Sequence, residues 1–101
     1  MSKVVQFSKG SIIFFEGDKD ENIYILQSGA VALRSMDLET GEQISEQLHI
    51  GEFFGVKSAL AKMPSLVTAS VLLDSTVVQL SIYKKKKMFG SKAFITEKML
   101  R

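Results

Sequence analysis

Apolar residues come in short bursts along the chain, each closed by a cluster of turn formers. Lys3 to Phe7 is followed by Ser8-Lys9-Gly10, and Ser11-Ile12-Ile13-Phe14-Phe15 runs into Glu16-Gly17-Asp18-Lys19-Asp20-Glu21-Asn22. Ile23-Tyr24-Ile25-Leu26 ends at Gln27-Ser28-Gly29. Such bursts are too short for stable helices and rich in β-branched and aromatic residues, so the pattern predicts strands. Ala30 to Met36 suits either a strand or a helical turn. With Gly29 before it and Glu39-Thr40-Gly41-Glu42 after it, a hairpin arm is the better choice, returning over Gln43 to Ile50.

From Gly51 to Val71 the pattern changes. Two phenylalanines stand between two glycines in Gly51-Glu52-Phe53-Phe54-Gly55, a short apolar segment suited to one or two helical turns follows, and Pro64 returns the chain to a β-branched run. A turn opening a helix presents free backbone N–H groups at the positive end of the helix dipole, which favours an anion such as a phosphate. The other reading is that Gly51 and Gly55 only supply positive φ at two tight corners of a β-barrel, and spacing alone prefers it.

Val67 to Leu73 and Thr76 to Leu80 are two β-branched runs parted by Asp74-Ser75, which predicts a hairpin with a two-residue turn. Strands at this regular spacing point to an antiparallel sandwich or barrel. From Ser81 the composition shifts to Ile82-Tyr83-Lys84-Lys85-Lys86-Lys87-Met88-Phe89, a helix with Ser81 as N-cap and Gly90 as stop. Ser91 opens a second helix with Phe94, Ile95, Lys98 and Met99 on one face, and the chain is expected to be cut within or just after it. The four lysines read as a solvated face rather than an anionic-surface patch.

A chain of 101 residues, 46% hydrophobic and 24% charged, has the composition of one small soluble domain. Thirteen basic against eleven acidic residues leave a formal charge of +2, too little to point to nucleic acid. The absence of cysteine excludes disulfides, thiolate metal sites and thiol catalysis. Met1-Ser2-Lys3-Val4-Val5-Gln6 lacks the apolar centre of a signal peptide, and no later run approaches a membrane span, so the expected address is the cytoplasm, with no membrane partner. His49 is the sole histidine, and a metal-dependent cupin, the main enzymatic competitor on a jelly roll, needs more than one. No serine has a nucleophile-elbow context. His49 is therefore read as a strand histidine near a loop, Glu52 as a cap for loop N–H groups, and Phe7, Phe14, Phe15, Phe53 and Phe54 as core.

Ile13-Phe14-Phe15-Glu16-Gly17-Asp18 with Asn22-Ile23-Tyr24-Ile25-Leu26-Gln27-Ser28-Gly29 resembles the first signature of the cyclic-nucleotide-binding domain family. In that signature a Gly-Asp turn leads to four apolar residues, two spacers and a glycine. The chain departs from it at Asp20, where the family usually has glycine or another small residue. Gly51-Glu52-Phe53-Phe54-Gly55, Ser58-Ala59-Leu60, Pro64 and Thr68-Ala69-Ser70-Val71 are similar to the family's phosphate-binding cassette, and two motifs in order are more specific than either alone. The resemblance implies a single domain: an eight-stranded antiparallel jelly-roll barrel over about residues 3–81, the cassette over 51–71, and C-terminal helices over about 82–101.

It also implies a ligand site. Phe54 and Gly55 would lead into the cassette helix, whose backbone N–H groups at Ser58 and Ala59 match those that bind the cyclic phosphate. The family's glutamate for the ribose 2′-hydroxyl falls on Val56, and its phosphate-pairing arginine on Val67, or on Ser65 if sought directly after the proline. Thr68, followed by Ala69, matches a residue whose hydroxyl bonds the phosphate in relatives. Lys57 or Lys62 would compensate only by reaching an anion from the helix; the alternative is that they are solvated. A hydrogen bond to a charged group is worth roughly 1.5–3 kcal/mol, so losing both clamps weakens a cyclic nucleotide on the order of a hundred to several thousandfold.

The expectation is a non-enzymatic regulatory module with no cofactor, sensing a weakly held cyclic nucleotide or a different, less charged effector, with a homodimer through its C-terminal helices. The alternative is a scaffold or dimerisation module that keeps the fold and binds no ligand. An effector domain would lie in a longer chain or a partner.

Overall fold

The computed structural model describes residues 2–82. The strands are β1 (Ser2–Phe7), β2 (Ile12–Phe14), β3 (Asn22–Met36), β4 (Gln43–Gln47), β5 (Phe53–Phe54) and β6 (Thr68–Ser81), with the helix α1 (Val56–Ala61) between the last two. All pair antiparallel in the order β1-β6-β3-β4, while β2 adds to β6 and β5 to β3. The helices expected beyond Ile82, and Lys84 to Lys87 with them, lie outside the described residues. Among the described residues no helix is long and apolar enough to cross a membrane.

The mainly β, antiparallel jelly roll expected from the sequence is present, but with six strands among the described residues instead of eight. Two expected breaks are not chain reversals. Ser28-Gly29 lies inside β3, a strand of 15 residues, and Asp74-Ser75 lies inside β6, a strand of 14. The two long strands pair along nearly their whole length, from Asn22 opposite Ser81 to Arg34 opposite Thr68, with register shifts between Leu26 and Val31. These bulges bend both strands together. On one side of the bend β1, the second half of β6, the first half of β3 and β5 form one four-stranded half. On the other side β2, the first half of β6, the second half of β3 and β4 form the other. Counted by halves, eight strand segments result.

The bend is made possible by a residue without a side chain. Gly29 has φ +95, and a Cβ placed there would lie 2.6 Å from the Ser75 Cα and 2.5 Å from the Asp74 carbonyl oxygen. Ser75, 4% exposed, fastens the crossing: its Oγ accepts from the Ala30 N–H at 3.0 Å and donates to the Leu73 carbonyl at 2.7 Å. Those bonds satisfy groups that the bulge removes from the ladder.

Both halves contribute to one core. Tyr24, Leu26, Phe54 and Val77 from one side meet Phe14, Val31, Ala69 and Val71 from the other, with Leu48 at the end of β4. Three aromatic rings lie at its centre: Tyr24 stacks on Phe54 at a centroid distance of 5.3 Å, and Phe14 lies 5.7 Å from Tyr24 and 6.2 Å from Phe54. Of the phenylalanines expected in the core, Phe14 and Phe54 are buried and Phe7 is half-buried against it. Phe15 and Phe53 are not core, at 57% and 51% exposed. Phe53 alternates with Phe54 on a two-residue strand, so only one of the pair faces inward.

Candidate functional site

The site forms where three segments meet: the loop between β2 and β3, the turn into α1, and the segment from Lys62 to Val67 that leads to β6. Gly55 precedes α1 with φ +77, and a Cβ there would lie 3.3 Å from both the Asn22 carbonyl oxygen and the Tyr24 ring. Positive φ and close approach thus occur together, so the corner reading of this glycine holds alongside a helix start. The Ala59 N–H donates to the Gly55 carbonyl at 3.1 Å as the first bond along the helix. The N–H groups of Val56, Lys57 and Ser58 come before it and have no acceptor within the helix.

The facing segment is laced to the β2–β3 loop by backbone. The Gly17 N–H donates to the Ser65 carbonyl at 2.7 Å, and the Ser65 N–H to the Asp18 carbonyl at 2.8 Å. The Ser65 hydroxyl is spent within its own loop, donating to the Val67 carbonyl at 2.7 Å and accepting from the Val67 N–H at 3.2 Å. Ser58, 7% exposed, donates its hydroxyl to the Met63 carbonyl at 2.7 Å, which folds the end of α1 back under the site.

Between these segments lies a cavity of about 360 Å³. Its walls include Phe54, Gly55, Val56, Lys57 and Ser58 from the helix side and Ser65 and Val67 from the facing side. The other three candidates stand elsewhere. Ala59 is fully buried behind the helix, and Ala69 is in the core. Thr68 lies opposite Arg34 in the β3–β6 ladder, and its Oγ1 accepts from the Glu16 N–H at 2.8 Å. Arg34, the sole arginine among the described residues, alternates with the cavity-lining Leu33 and is exposed, so it does not enter the cavity.

The residues not anticipated are Leu33, Phe53, Met63, Pro64 and Leu66, which complete the wall with Phe14 beneath. Leu66 and Met63, at 70% and 54% exposed, sit in an irregular stretch where nothing in the sequence pattern separates a cavity lip from a core side chain. The family's sequence pattern for the cyclic nucleotide-binding domain matches residues 4–91. The chain belongs to that family.

Relatives and solved structures agree. The chain is 44% identical over 59 residues to the global nitrogen regulator of Synechococcus elongatus, covering 57% of this chain and 26% of that protein. It is 30% identical over 64 residues to a cAMP-dependent protein kinase regulatory subunit of Blastocladiella emersonii, covering 63% of this chain and 16% of that one. The fold matches the N-terminal domain of a transcriptional regulator from Streptomyces coelicolor with a TM-score of 0.81, at 20% identity, over 99% of this chain and 71% of that one. The chain thus spans only a minor part of both curated relatives. By family it is a cyclic nucleotide-binding domain, and its relatives include a global nitrogen regulator and a cAMP-dependent protein kinase regulatory subunit.

Around the site the ionisation of two groups, Tyr24 and Glu52, is shifted by their neighbours. Asp20 accepts from the Asn22 N–H at 2.9 Å, from its side-chain amide at 3.0 Å and from the Tyr24 hydroxyl at 2.6 Å. Burial first, then the bond to Asp20, pushes the Tyr24 hydroxyl well above the ordinary tyrosine range. Glu52 caps the turn after β4 as expected, accepting from the His49 N–H, and this bond holds its carboxyl below the usual glutamate range. His49 itself is not a strand residue. It lies beyond the end of β4, exposed, with Nδ1 3.1 Å from Glu52 Oε1.

Proposed function

We propose that this domain is a non-enzymatic ligand-sensing module that uses the cassette cavity as its effector site, and that cyclic nucleotides bind it weakly. The observation that carries this reading is that Val56 and Val67, standing where the family has its glutamate and arginine, line the same cavity of about 360 Å³. A cyclic phosphate entering it meets aliphatic groups at the two positions where charge would be neutralised, and a charge in an apolar site without a partner is costly. An effector acts as a signal only through a difference in affinity between two states of the domain, so its effect on an attached or partner effector is bounded by that difference.

Calorimetric titration with cyclic AMP and cyclic GMP is the test, on the natural chain and on the Val56→Glu/Val67→Arg variant. The natural chain is expected to bind weakly and the double variant to gain on the order of a hundred to several thousandfold, as two charge-assisted contacts predict. A folded double variant with no gain refutes the assignment of the two positions. Submicromolar binding by the natural chain refutes the weakness.

A further inference from the structure

The proposed sensor reading leaves open what the cavity takes, and the wall chemistry narrows it. Lys57 is the one charged side chain lining the cavity among the described residues, and it is exposed on the rim, in reach of water. The polar side chains in the wall, Ser58 and Ser65, have both committed their hydroxyl protons to backbone carbonyls at 2.7 Å. The Ser65 backbone is committed too, through Gly17 and Asp18. Among the described residues no buried side-chain nitrogen or oxygen lacks a partner, so neither serine of the wall holds a buried polar atom left unpaired.

The rest of the surface is aliphatic or aromatic. Phe53, Met63 and Leu66 are 51%, 54% and 70% exposed, and all three line the cavity. Apolar surface left facing water in a concavity is stabilised by any occupant that covers it. The volume lies in the range of small-molecule sites, roughly 300–1,000 Å³. Phe53 offers a ring for stacking.

We infer that the cavity binds an uncharged, largely apolar ring compound, with its body against Val56, Val67, Leu33 and Phe53. This rests on the cavity being the effector site, and the experiment separates the two ideas. The full chain is titrated with the neutral fluorophore N-phenyl-1-naphthylamine and, in parallel, with cyclic AMP, while backbone amide shifts are followed by NMR. The expected result is saturable binding of the fluorophore with shifts at Val56, Lys57 and Val67, weakened at least about tenfold in the Val56→Glu/Val67→Arg variant.

If cyclic AMP shifts those amides and the fluorophore does not, the apolar class is wrong and the sensor reading stands. If neither ligand shifts them, both ideas fall. Fluorophore binding that shifts only residues away from the cavity, such as Met36 and Leu38, also overturns the inference. A single Leu33→Asp variant serves as a second probe should the double variant lose its fold; it is expected to abolish the cavity shifts, and full retention of binding would count against the inference.

Discussion

Substituting alanine for Gly29 tests the bend on which the two halves of the sheet depend. Three costs are combined there. A φ of +95 strains any residue with a Cβ, by about 1–2 kcal/mol. The methyl group would also collide with Ser75 and the Asp74 carbonyl, and the atoms at 2.5 and 2.6 Å are backbone, which cannot rotate aside as a side chain can. Overpacking of this kind costs about 1–3 kcal/mol. Displacing Ser75 would further strip the buried Ala30 N–H of its acceptor, for about 1–3 kcal/mol more.

The total, on the order of 3–8 kcal/mol, is a large share of the 5–15 kcal/mol typical of a domain's stability. Gly10 provides the control: its φ is +91, and a Cβ there meets nothing within 4 Å. Gly10→Ala therefore carries the strain alone, about 1–2 kcal/mol. Urea denaturation of both variants, followed by far-UV circular dichroism, reads the difference directly. Equal losses for the two would show that the crossing is not tight and would refute the account of how β3 and β6 bend.

Three further outcomes follow from the polar groups near the site. Asp20→Gly, which installs a residue the family commonly carries, is expected to lower stability by about 1–3 kcal/mol, because Asn22 and Tyr24 lose their shared acceptor; an unchanged urea midpoint would disprove the role given to the carboxylate. The folded-state ionisation of Tyr24 is raised, so its contribution is complete below the ordinary tyrosine value near about 10 and is lost as pH rises beyond it; urea midpoints in the alkaline range should fall more steeply for the natural chain than for Tyr24→Phe. Glu52 shows the opposite sign: its lowered folded value contributes stability above the ordinary glutamate range and loses it as pH falls through the folded value, and carbon-13 titration of its carboxyl should give a midpoint below that range, whereas an ordinary midpoint would mean the cap does not form in solution.

The sequence revealed the elements more readily than their continuity. β1, β2, β4, β5 and α1 fall where bursts, turn formers and the glycine pair placed them. Ser28-Gly29 and Asp74-Ser75 misled because a glycine or Asx-Ser pair is what a hairpin turn requires and equally what a bulge requires. The two pairs face each other across β3 and β6, and only that long-range pairing shows that the sheet bends there without the chain reversing. At the site, the resemblance to the cassette pointed to Val56 and Val67, and both line the cavity. Leu33, Met63 and Leu66 were not, since an apolar residue reads the same in a core as in a cavity wall. That Ser58 and Ser65 had no hydroxyl proton to spare depended on acceptors in their own turns, which spacing does not reveal.

The hydrogen bonds around the cavity do not depend on the side chains of Val56 and Val67, the two positions proposed to have lost a charged clamp. The hydrogen bonds that shape the cassette are made by other groups: Gly17 and Asp18 with the Ser65 backbone, Ser58 with Met63, and Ser65 with Val67 through main-chain atoms of Val67. The floor is set independently, by Tyr24 stacked on Phe54 and tied through its hydroxyl to Asp20, while the Ser58 hydroxyl lies 3.4 Å from the Asp20 carbonyl. None of these bonds uses a side chain at position 56 or 67. The hydrogen bonding of the cassette is therefore independent of the side chains at 56 and 67, although Val67 also packs against the core. Asp20 takes part in this bonding: where relatives have a small residue, its carboxylate adds a fastening between the β2–β3 loop and the aromatic floor, outside the cavity wall and without altering what the cavity presents to a ligand.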